Sequence, residues 1–562
     1  MLKWNLKASA AKGALRRRLA AVALGSTALV AMGVGLNAAS DGRNGAAPLS
    51  QASAAAAPVR RSGAADRPNI IVVLSDDLGW ADVGFHGSEI RTPTLDGLAR
   101  KGVQLDRYYT YAVCSPTRAA LMSGRSSLET GIDAPIALDA SLAMDATLLP
   151  QHLKSRGYQT MMVGKWHLGQ ADVAFMPFNR GFDSYYGFLG GFIDHYTHLS
   201  PDGQLDWQRD GVSVREEGYS TDLFTREAIS KIKSRDKAKP FFLYLTYDAP
   251  HTPLQAPEAD VKSYANIQDP RRRTYAAMVT HFDSEFAKVL AAVEAEGITG
   301  DTLIVWASDN GGQIGAGSNN RPLRGGKGTS FEGGERVPAV AYWPGHIEGG
   351  RRIDQPVTVL DWFPTLLKVA GVSPPADGRL VGHDAMGALR GGAAPQAKMV
   401  IGNHNMGEGY YESAYEWPWK LMRAPETAFS SMPPGDAGAP EVVRPARISG
   451  PNTVQLFNVA TDPNEREDVS AAHPDIVKAL LTRLDAAPRA PKSLSEWAPG
   501  NRRIGANGPP GGGPPGGGPP GGGPRPGGPG GGLPGGGAFA SYAVERGTPI
   551  AEAAKGAKTK AN

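Results

Sequence analysis

The chain has 562 residues, 41% apolar and 20% charged, a composition that excludes a wholly disordered chain and a polytopic membrane protein and leaves room for a large core. Its formal charge of +4 is uneven: residues 1–67 hold ten Lys/Arg against two Asp, a net +8, so the rest carries −4 and nothing calls for a nucleic-acid partner. One cysteine, Cys114, excludes both an internal disulfide and a thiolate-cage zinc site.

Lys3, Lys7, Lys12 and Arg16–Arg18 precede an uncharged stretch from Leu19 to Leu36, followed by small residues at Ala38 and Ala39. This predicts an export signal over 1–39 and a periplasmic or secreted protein. The alternative is an uncleaved anchor, because 18 apolar-leaning residues are borderline for spanning a bilayer. The stretch is mostly Ala, Gly, Val, Ser and Thr, which favours cleavage and no stable membrane insertion. Residues 40–67 read as a flexible spacer.

From residue 68 to 495, strand-like apolar runs alternate with helical stretches, which predicts an α/β fold with a large mixed, mostly parallel sheet sandwiched by helices. Four runs stand out. Asn69–Ser75 leads into Asp76 and Asp77. Tyr158–Val163 leads into Lys165 and His167, Phe241–Tyr247 into His251, and Thr302–Ser308 into Asp309 and Asn310. Ligands of open α/β sheets bind at the carboxyl ends of strands, so four such deliveries predict one convergent site. Helical spacing covers Arg271–Glu296. After Gly371 the runs shorten: Trp419–Met422 and Val454–Val459 read as strands of a short antiparallel sheet, and Pro474–Leu484 as a last helix. The expected division is a catalytic domain over 68–395, a C-terminal α+β subdomain over 396–495, and a Gly/Pro-rich tail over 500–562. In that tail Gly508–Gly537 holds 18 Gly and 10 Pro with a period of five, which excludes a collagen helix.

Asp76, Asp77, Asp309 and Asn310 offer hard oxygen ligands, which suit Ca²⁺ or Mg²⁺ rather than zinc or copper. A shared cation would also relieve the repulsion among three carboxylates in one cleft. Cys114 opens a segment in which Pro116 suits the first turn of a helix and Arg118 follows one turn later. The positive helix end favours negative charge on residue 114 or on a bound anion. With Arg118, Lys165 and Lys327 beside a divalent metal, the expected ligand is a tetrahedral oxyanion such as sulfate or phosphate. His167 and His251 can supply acid and base steps near neutral pH.

Cys114–Arg118 with Ser123-Gly124-Arg125, the run GKWHLG over 164–169, and the stretches 81–99 and 323–338 together resemble the type I, formylglycine-dependent sulfatases of the alkaline-phosphatase-like superfamily. The likeness is strongest to arylsulfatase B-like (N-acetylgalactosamine-4-sulfatase-like) enzymes and spans about 68–370. The resemblance implies that a separate maturation enzyme oxidises Cys114 to formylglycine, whose hydrate is the nucleophile. It implies that Asp76, Asp77, Asp309, Asn310 and residue 114 hold one Ca²⁺, or alternatively Mg²⁺. Arg118 and Lys165 would stabilise the hydrate's alkoxide, and Lys165 and Lys327 would hold sulfate oxygens. His251, with Lys327, would protonate the leaving alcohol, and His167 would take the proton that lets sulfate depart. The substrate would be a sulfated sugar, glycosaminoglycan-type polysaccharide or aryl sulfate, the alternative being a phosphate or phosphonate ester. The resemblance leaves the substrate-shaping residues open: His195, His198, His404, Tyr410 and Tyr411 are candidates for the rim and equally for surface or core.

Overall fold

The computed structural model describes residues 67–136, 140–394, 398–405, 409–426 and 452–490. The segments read as export signal and Gly/Pro tail lie outside them, as does the spacer apart from Arg67.

Ten strands form the main sheet: β1 (Asn69–Ser75), β2 (Val103–Leu105), β3 (Gln159–Lys165), β4 (Ser184–Phe188), β5 (Gln208–Arg209), β6 (Val212–Ser213), β7 (Phe241–Thr246), β8 (Thr302–Ser308), β9 (Ala339–Tyr342) and β10 (Arg351–Ile353). Their spatial order is β10-β2-β9-β8-β1-β7-β3-β4-β5-β6. The five central strands, β8-β1-β7-β3-β4, are mutually parallel. β9 runs antiparallel to β8 and β2, and β5 antiparallel to β4 and β6. The expected mixed, mostly parallel sheet is thus present, with its antiparallel pairs toward the margins.

β1 shows why the centre is parallel. Its sequence NIIVVLS is apolar on both faces, as a strand covered on both sides requires. Ile70, Val72 and Leu74 join one core cluster and Ile71 and Val73 the other, so the sheet divides two helical layers. The first layer includes α2 (Cys114–Ser123) and α5 (Val359–Val369). The second includes α1 (Pro93–Lys101), α3 (Ser220–Ser234) and the 26-residue α4 (Pro270–Ala295). Each fully buried Ile, Val or Leu contributes about 1.5–3 kcal/mol relative to exposure. α4 begins one residue before the periodicity predicts, because Asp269 caps it by accepting from Arg271 N at 2.9 Å.

A separate antiparallel sheet, β11 (Lys398–Asn405), β12 (Gly409–Glu416), β13 (Trp419–Pro425) and β14 (Asn452–Asn458), is followed by α6 (Pro474–Ala486). This matches the expected C-terminal α+β unit. Its buried Lys420 contacts Glu332 (3.3 Å), Glu335 (3.7 Å) and Glu465 (2.8 Å), linking β13 to the loop that precedes β9.

Candidate active site

The four strands singled out in the sequence, β8, β1, β7 and β3, are consecutive neighbours in the sheet. Ser75 is in register with Ser308, and Leu74 and Gly164 are both in register with Thr246. Asp76–Asp77, Asp309–Asn310, His251 and Lys165–His167 therefore emerge along one edge. β3 extends two residues beyond the predicted run, through Gly164 to Lys165. Gly164 makes this possible: its φ is +109°, and a Cβ there would lie 1.8 Å from Thr246 O, so only glycine lets β3 approach β7 so closely.

Cys114 is the first residue of α2, and Val113, which precedes it, offers no side-chain cap. Thr117 Oγ1 accepts from Tyr111 N (3.0 Å) and fixes the entry to the helix. Lys327 arrives from a distant loop. Gly328 N donates to Ala112 O (2.7 Å) and Lys327 N to Gly312 O (3.1 Å), tying that loop to both the cysteine segment and the loop after β8.

The structure brings together every residue that the sequence nominated for catalysis and metal binding, and all are buried or nearly so. Arg118 donates through Nε (3.1 Å) and Nη2 (2.7 Å) to Asp309 Oδ2, and through Nη1 (2.9 Å) to Lys165 O. Lys165 Nζ lies 2.6 Å from Asp76 Oδ2 and Lys327 Nζ 2.8 Å from Asp77 Oδ2. Asp77 N donates to Asp309 Oδ1 at 3.3 Å. Asp77 and His167 have positive φ, 69° and 57°, a region that costs free energy outside glycine and clusters at functional sites.

These contacts set the titration of each group. Burial raises Asp77, but Lys327 and His251 outweigh it and hold its carboxyl below the ordinary range. Asp309 goes the other way, pushed up by burial and by Asp76 against Arg118. Burial opposes the charge on Arg118 and on Lys327, yet Asp309 and Asp77 respectively keep both cations firmly protonated. Burial also pushes the Cys114 thiol up, against the pull of Lys165 and Lys327.

The histidines are held in defined tautomers. His167 Nε2 faces the Ile136 carbonyl (3.3 Å) and so carries the proton, which turns the Nδ1 lone pair toward Cys114 Sγ at 3.1 Å. Burial, then Lys165 and Arg118, depress its pKa well below the usual value. His251 Nδ1 donates to Thr252 O (2.6 Å), leaving Nε2 to accept from Lys327 Nζ at 2.9 Å. Burial and Lys327 lower this histidine too.

The donor set fits a hard cation. Asp76 Oδ1 and Asn310 Oδ1 are buried with no hydrogen-bond partner among the described residues. Asn310 Nδ2 donates to Asp77 Oδ1 (2.8 Å) and Gly311 O (2.9 Å), which fixes the amide so that its oxygen is the atom left over. Two orphaned oxygens beside Asp77 and Asp309 are what an oxygen-ligated divalent ion satisfies. Asp76, Asp77 and His251 also present ligand atoms within 4.8 Å of one another.

Sequence reasoning missed the support behind His251. His195, a rim candidate, is 1% exposed, with Nδ1 3.1 Å from Asp248 Oδ2 and Nε2 3.1 Å from His251 O. Burial opposes its charge but Asp248 prevails, so its pKa is raised. His198 is buried as well, stacked on Trp207 at 4.1 Å, and Tyr411 belongs to the C-terminal core. These three are core rather than rim. The side chains of His404 and Tyr410 lie outside the description. Partners supplied by other segments, invisible in any local window, bury His195, His198 and Tyr411.

A profile of the sulfatase family matches residues 68–372. Arylsulfatase J of Mus musculus is 36% identical, covering 76% of this chain and 77% of the mouse protein. N-acetylgalactosamine-6-sulfatase of Mus musculus is 32% identical, covering 75% and 85%. Among solved structures, Ps i-CgsB in complex with k-i-k-neocarrahexaose is similar with a TM-score of 0.66 and 33% identity, over 75% of this chain and 92% of that one.

Proposed function

The chain belongs to the sulfatase family and is a sulfatase, and from that premise we propose that it hydrolyses sulfate esters of sugars through residue 114, matured from cysteine to formylglycine. The observation that carries the reading is Cys114 at the head of α2, with His167 Nδ1 3.1 Å from its sulfur and two orphaned carboxylate and amide oxygens in the same cluster. The unmodified thiol suits this role poorly. Burial holds it protonated, and the nucleophilic form of cysteine is the thiolate.

The hydrated aldehyde supplies a nucleophilic oxygen in place of the thiol. Asp76, Asp77, Asp309, Asn310 and residue 114 would hold a Ca²⁺ ion, with Mg²⁺ the alternative, and that ion supplies positive charge for the sulfate oxygens. His167 presents a lone pair to residue 114 and acts there as the base. Its depressed pKa keeps it neutral, with the Nδ1 lone pair free, at neutral pH. The Lys327–His251 pair shares a proton between Nζ and Nε2 and delivers it to the leaving alcohol. Lys165 and Lys327 bind sulfate oxygens, while Arg118 holds Asp309 and the β3 terminus in place.

The sugar assignment rests on the similar proteins: one is named for N-acetylgalactosamine sulfate and another was solved with neocarrahexaose. These likenesses do not favour the phosphate or phosphonate ester alternative. Export follows from the reading of residues 1–39. Among the described residues, no helix is long and apolar enough to cross a membrane. A formylglycine-generating enzyme is the implied maturation partner.

The test is mass spectrometry of the tryptic peptide carrying residue 114, from protein made in its native host, followed by turnover of 4-nitrophenyl sulfate and 4-nitrophenyl phosphate. Support would be a loss of roughly 18 Da relative to cysteine together with preference for the sulfate. An unmodified thiol in protein that nonetheless turns over the sulfate would sink the formylglycine reading.

A further inference from the structure

The loop from Gly190 to His198 passes both site histidines. A Cβ on Gly191 would lie 3.0 Å from His167 Nε2, and the next residue, Phe192, stacks on His251 with ring centroids 5.3 Å apart and planes at 25°. Phe192 is nevertheless 40% exposed. Four residues on, Tyr196 is 42% exposed while leaning on the buried Tyr219 at 5.1 Å. Among the described residues only four large hydrophobic side chains are this exposed, and two of them share this one loop.

The loop is anchored, so the exposure is not slack. Asp194 Oδ1 accepts from Tyr196 N (3.1 Å) and Thr197 N (2.8 Å), and Asp194 Oδ2 accepts from Gln255 Nε2 (2.7 Å). His195 N donates to Gln255 Oε1 (2.9 Å), and Gly190 N to Asp206 Oδ2 (2.7 Å). A fixed backbone that holds two aromatic rings in solvent has already met the ordering cost of a binding surface.

We propose that Phe192 and Tyr196 are the leaving-group platform of this sulfatase, Phe192 stacking the apolar face of the pyranose ring that bears the sulfate and Tyr196 taking the adjoining sugar unit. The proposal rests on the sulfatase reading and deepens it. The leaving oxygen receives its proton from the Lys327–His251 pair, so the ring carrying that oxygen lands beside His251, where the Phe192 face is. The C–H groups on a pyranose face are electropositive and meet the negative face of an aromatic ring. Aromatic contacts of this kind are worth a factor of about three to ten in affinity. Phe192 thereby selects cyclic alcohols without touching the reacting sulfur.

The experiment uses the full, matured chain with 4-nitrophenyl sulfate and a panel of sulfated galactose and N-acetylgalactosamine mono- and disaccharides, with inorganic sulfate as competitor. Phe192→Ala should raise KM for the sugar sulfates about three- to tenfold, leave kcat within about twofold, and leave inhibition by inorganic sulfate unchanged. Phe192→Tyr and Phe192→Trp should restore KM, and Tyr196→Ala should weaken the disaccharides alone. If Phe192→Ala instead lowers kcat equally for the aryl and sugar sulfates at unchanged KM, the ring only props His251 and the platform is wrong. Wild-type turnover of the aryl sulfate but of no sugar sulfate also overturns it while leaving the sulfatase reading intact. Formylglycine-bearing protein that cleaves no sulfate ester would refute the sulfatase reading itself.

Discussion

Arg118→Lys separates a general need for positive charge from a need for the guanidinium fork. Arg118 places two donors on Asp309 Oδ2, at 2.7 and 3.1 Å, and a third on Lys165 O at 2.9 Å. Lysine keeps the charge but has one compact ammonium, which can hold either Asp309 or the carbonyl. The carbonyl retains Thr246 Oγ1 at 2.7 Å and is not orphaned. The loss is therefore one charge-assisted bond and one ordinary one, about 2–4 kcal/mol. A second effect falls on Asp309 in its proposed role as a metal ligand. Asp309 is already pushed up by burial and by Asp76, and Arg118 is the strongest influence opposing them. With the fork gone Asp309 protonates more readily, and affinity for the proposed calcium ion should fall about 10–100-fold, as it does when outer partners of metal ligands are removed. Urea unfolding in chelator measures the first effect, and the calcium concentration that half-saturates the thermal-shift curve measures the second. A variant with the wild-type urea midpoint and unchanged calcium half-saturation would refute the view that Arg118 organises the site through Asp309.

Three further outcomes follow from the same geometry. His251→Ala should slow turnover of a sugar sulfate by about 10²–10⁴ with the fold intact by circular dichroism, since general acid help is worth that much; wild-type rates would show that another group protonates the leaving alcohol. Gly164→Ala should cost at least about 3 kcal/mol in thermal unfolding, because its Cβ would collide with Thr246 O at 1.8 Å in a backbone region that side chains avoid. His281 places Nε2 2.6 Å from Asp222 Oδ1 and Nδ1 2.8 Å from Asp260 Oδ2, and although burial opposes its charge these carboxylates raise its pKa. The charged form is thus favoured by folding, and its stabilisation is full below the unfolded pKa of about 6.5 and lost as pH rises through the folded value. The stability gap between wild type and His281→Gln should shrink from pH 6 to pH 9 in denaturant titrations; a gap that widens with pH would reverse the assignment.

How much of this was legible depended on how local each cause is. β1, β7 and β8 are runs of apolar residues on both faces, a pattern of central parallel strands that a short window contains in full. The carboxylates and His251 follow directly behind such runs, so their convergence could be read before any fold was seen. The end of β3 could not, because Gly164-Lys165 looks like a turn until Thr246 is known to press against it. Lys327 could be nominated but not placed, since what fixes it is a bond from Gly328 to Ala112 across more than two hundred residues. His195 could be assigned to neither rim nor core, because the Asp248 pair that makes its burial tolerable forms only once the loop after β7 meets the loop after β4. Phe192 offered no signal at all: an aromatic between Gly191 and Ile193 is ordinary until its ring is found on His251.

The charges at the site also bear on which ester it accepts. Asp76, Asp77 and Asp309 face Arg118, Lys165 and Lys327, three formal negatives against three positives, and the two histidines have depressed pKa values that leave them neutral. The protein groups balance by themselves. A divalent cation on the two orphaned oxygens would bring the cluster to a net +2, which an ionised nucleophile at residue 114 and a monoanionic sulfate ester together cancel. A phosphate monoester dianion in the same place would leave one uncompensated negative charge in a buried site, where unpaired charge is expensive. Preorganised donors and cations aimed at the leaving oxygen support the charge that develops there. Given that cation and an ionised residue 114, as the proposed function has them, the balance of three lysine or arginine side chains against three aspartates favours sulfate over phosphate.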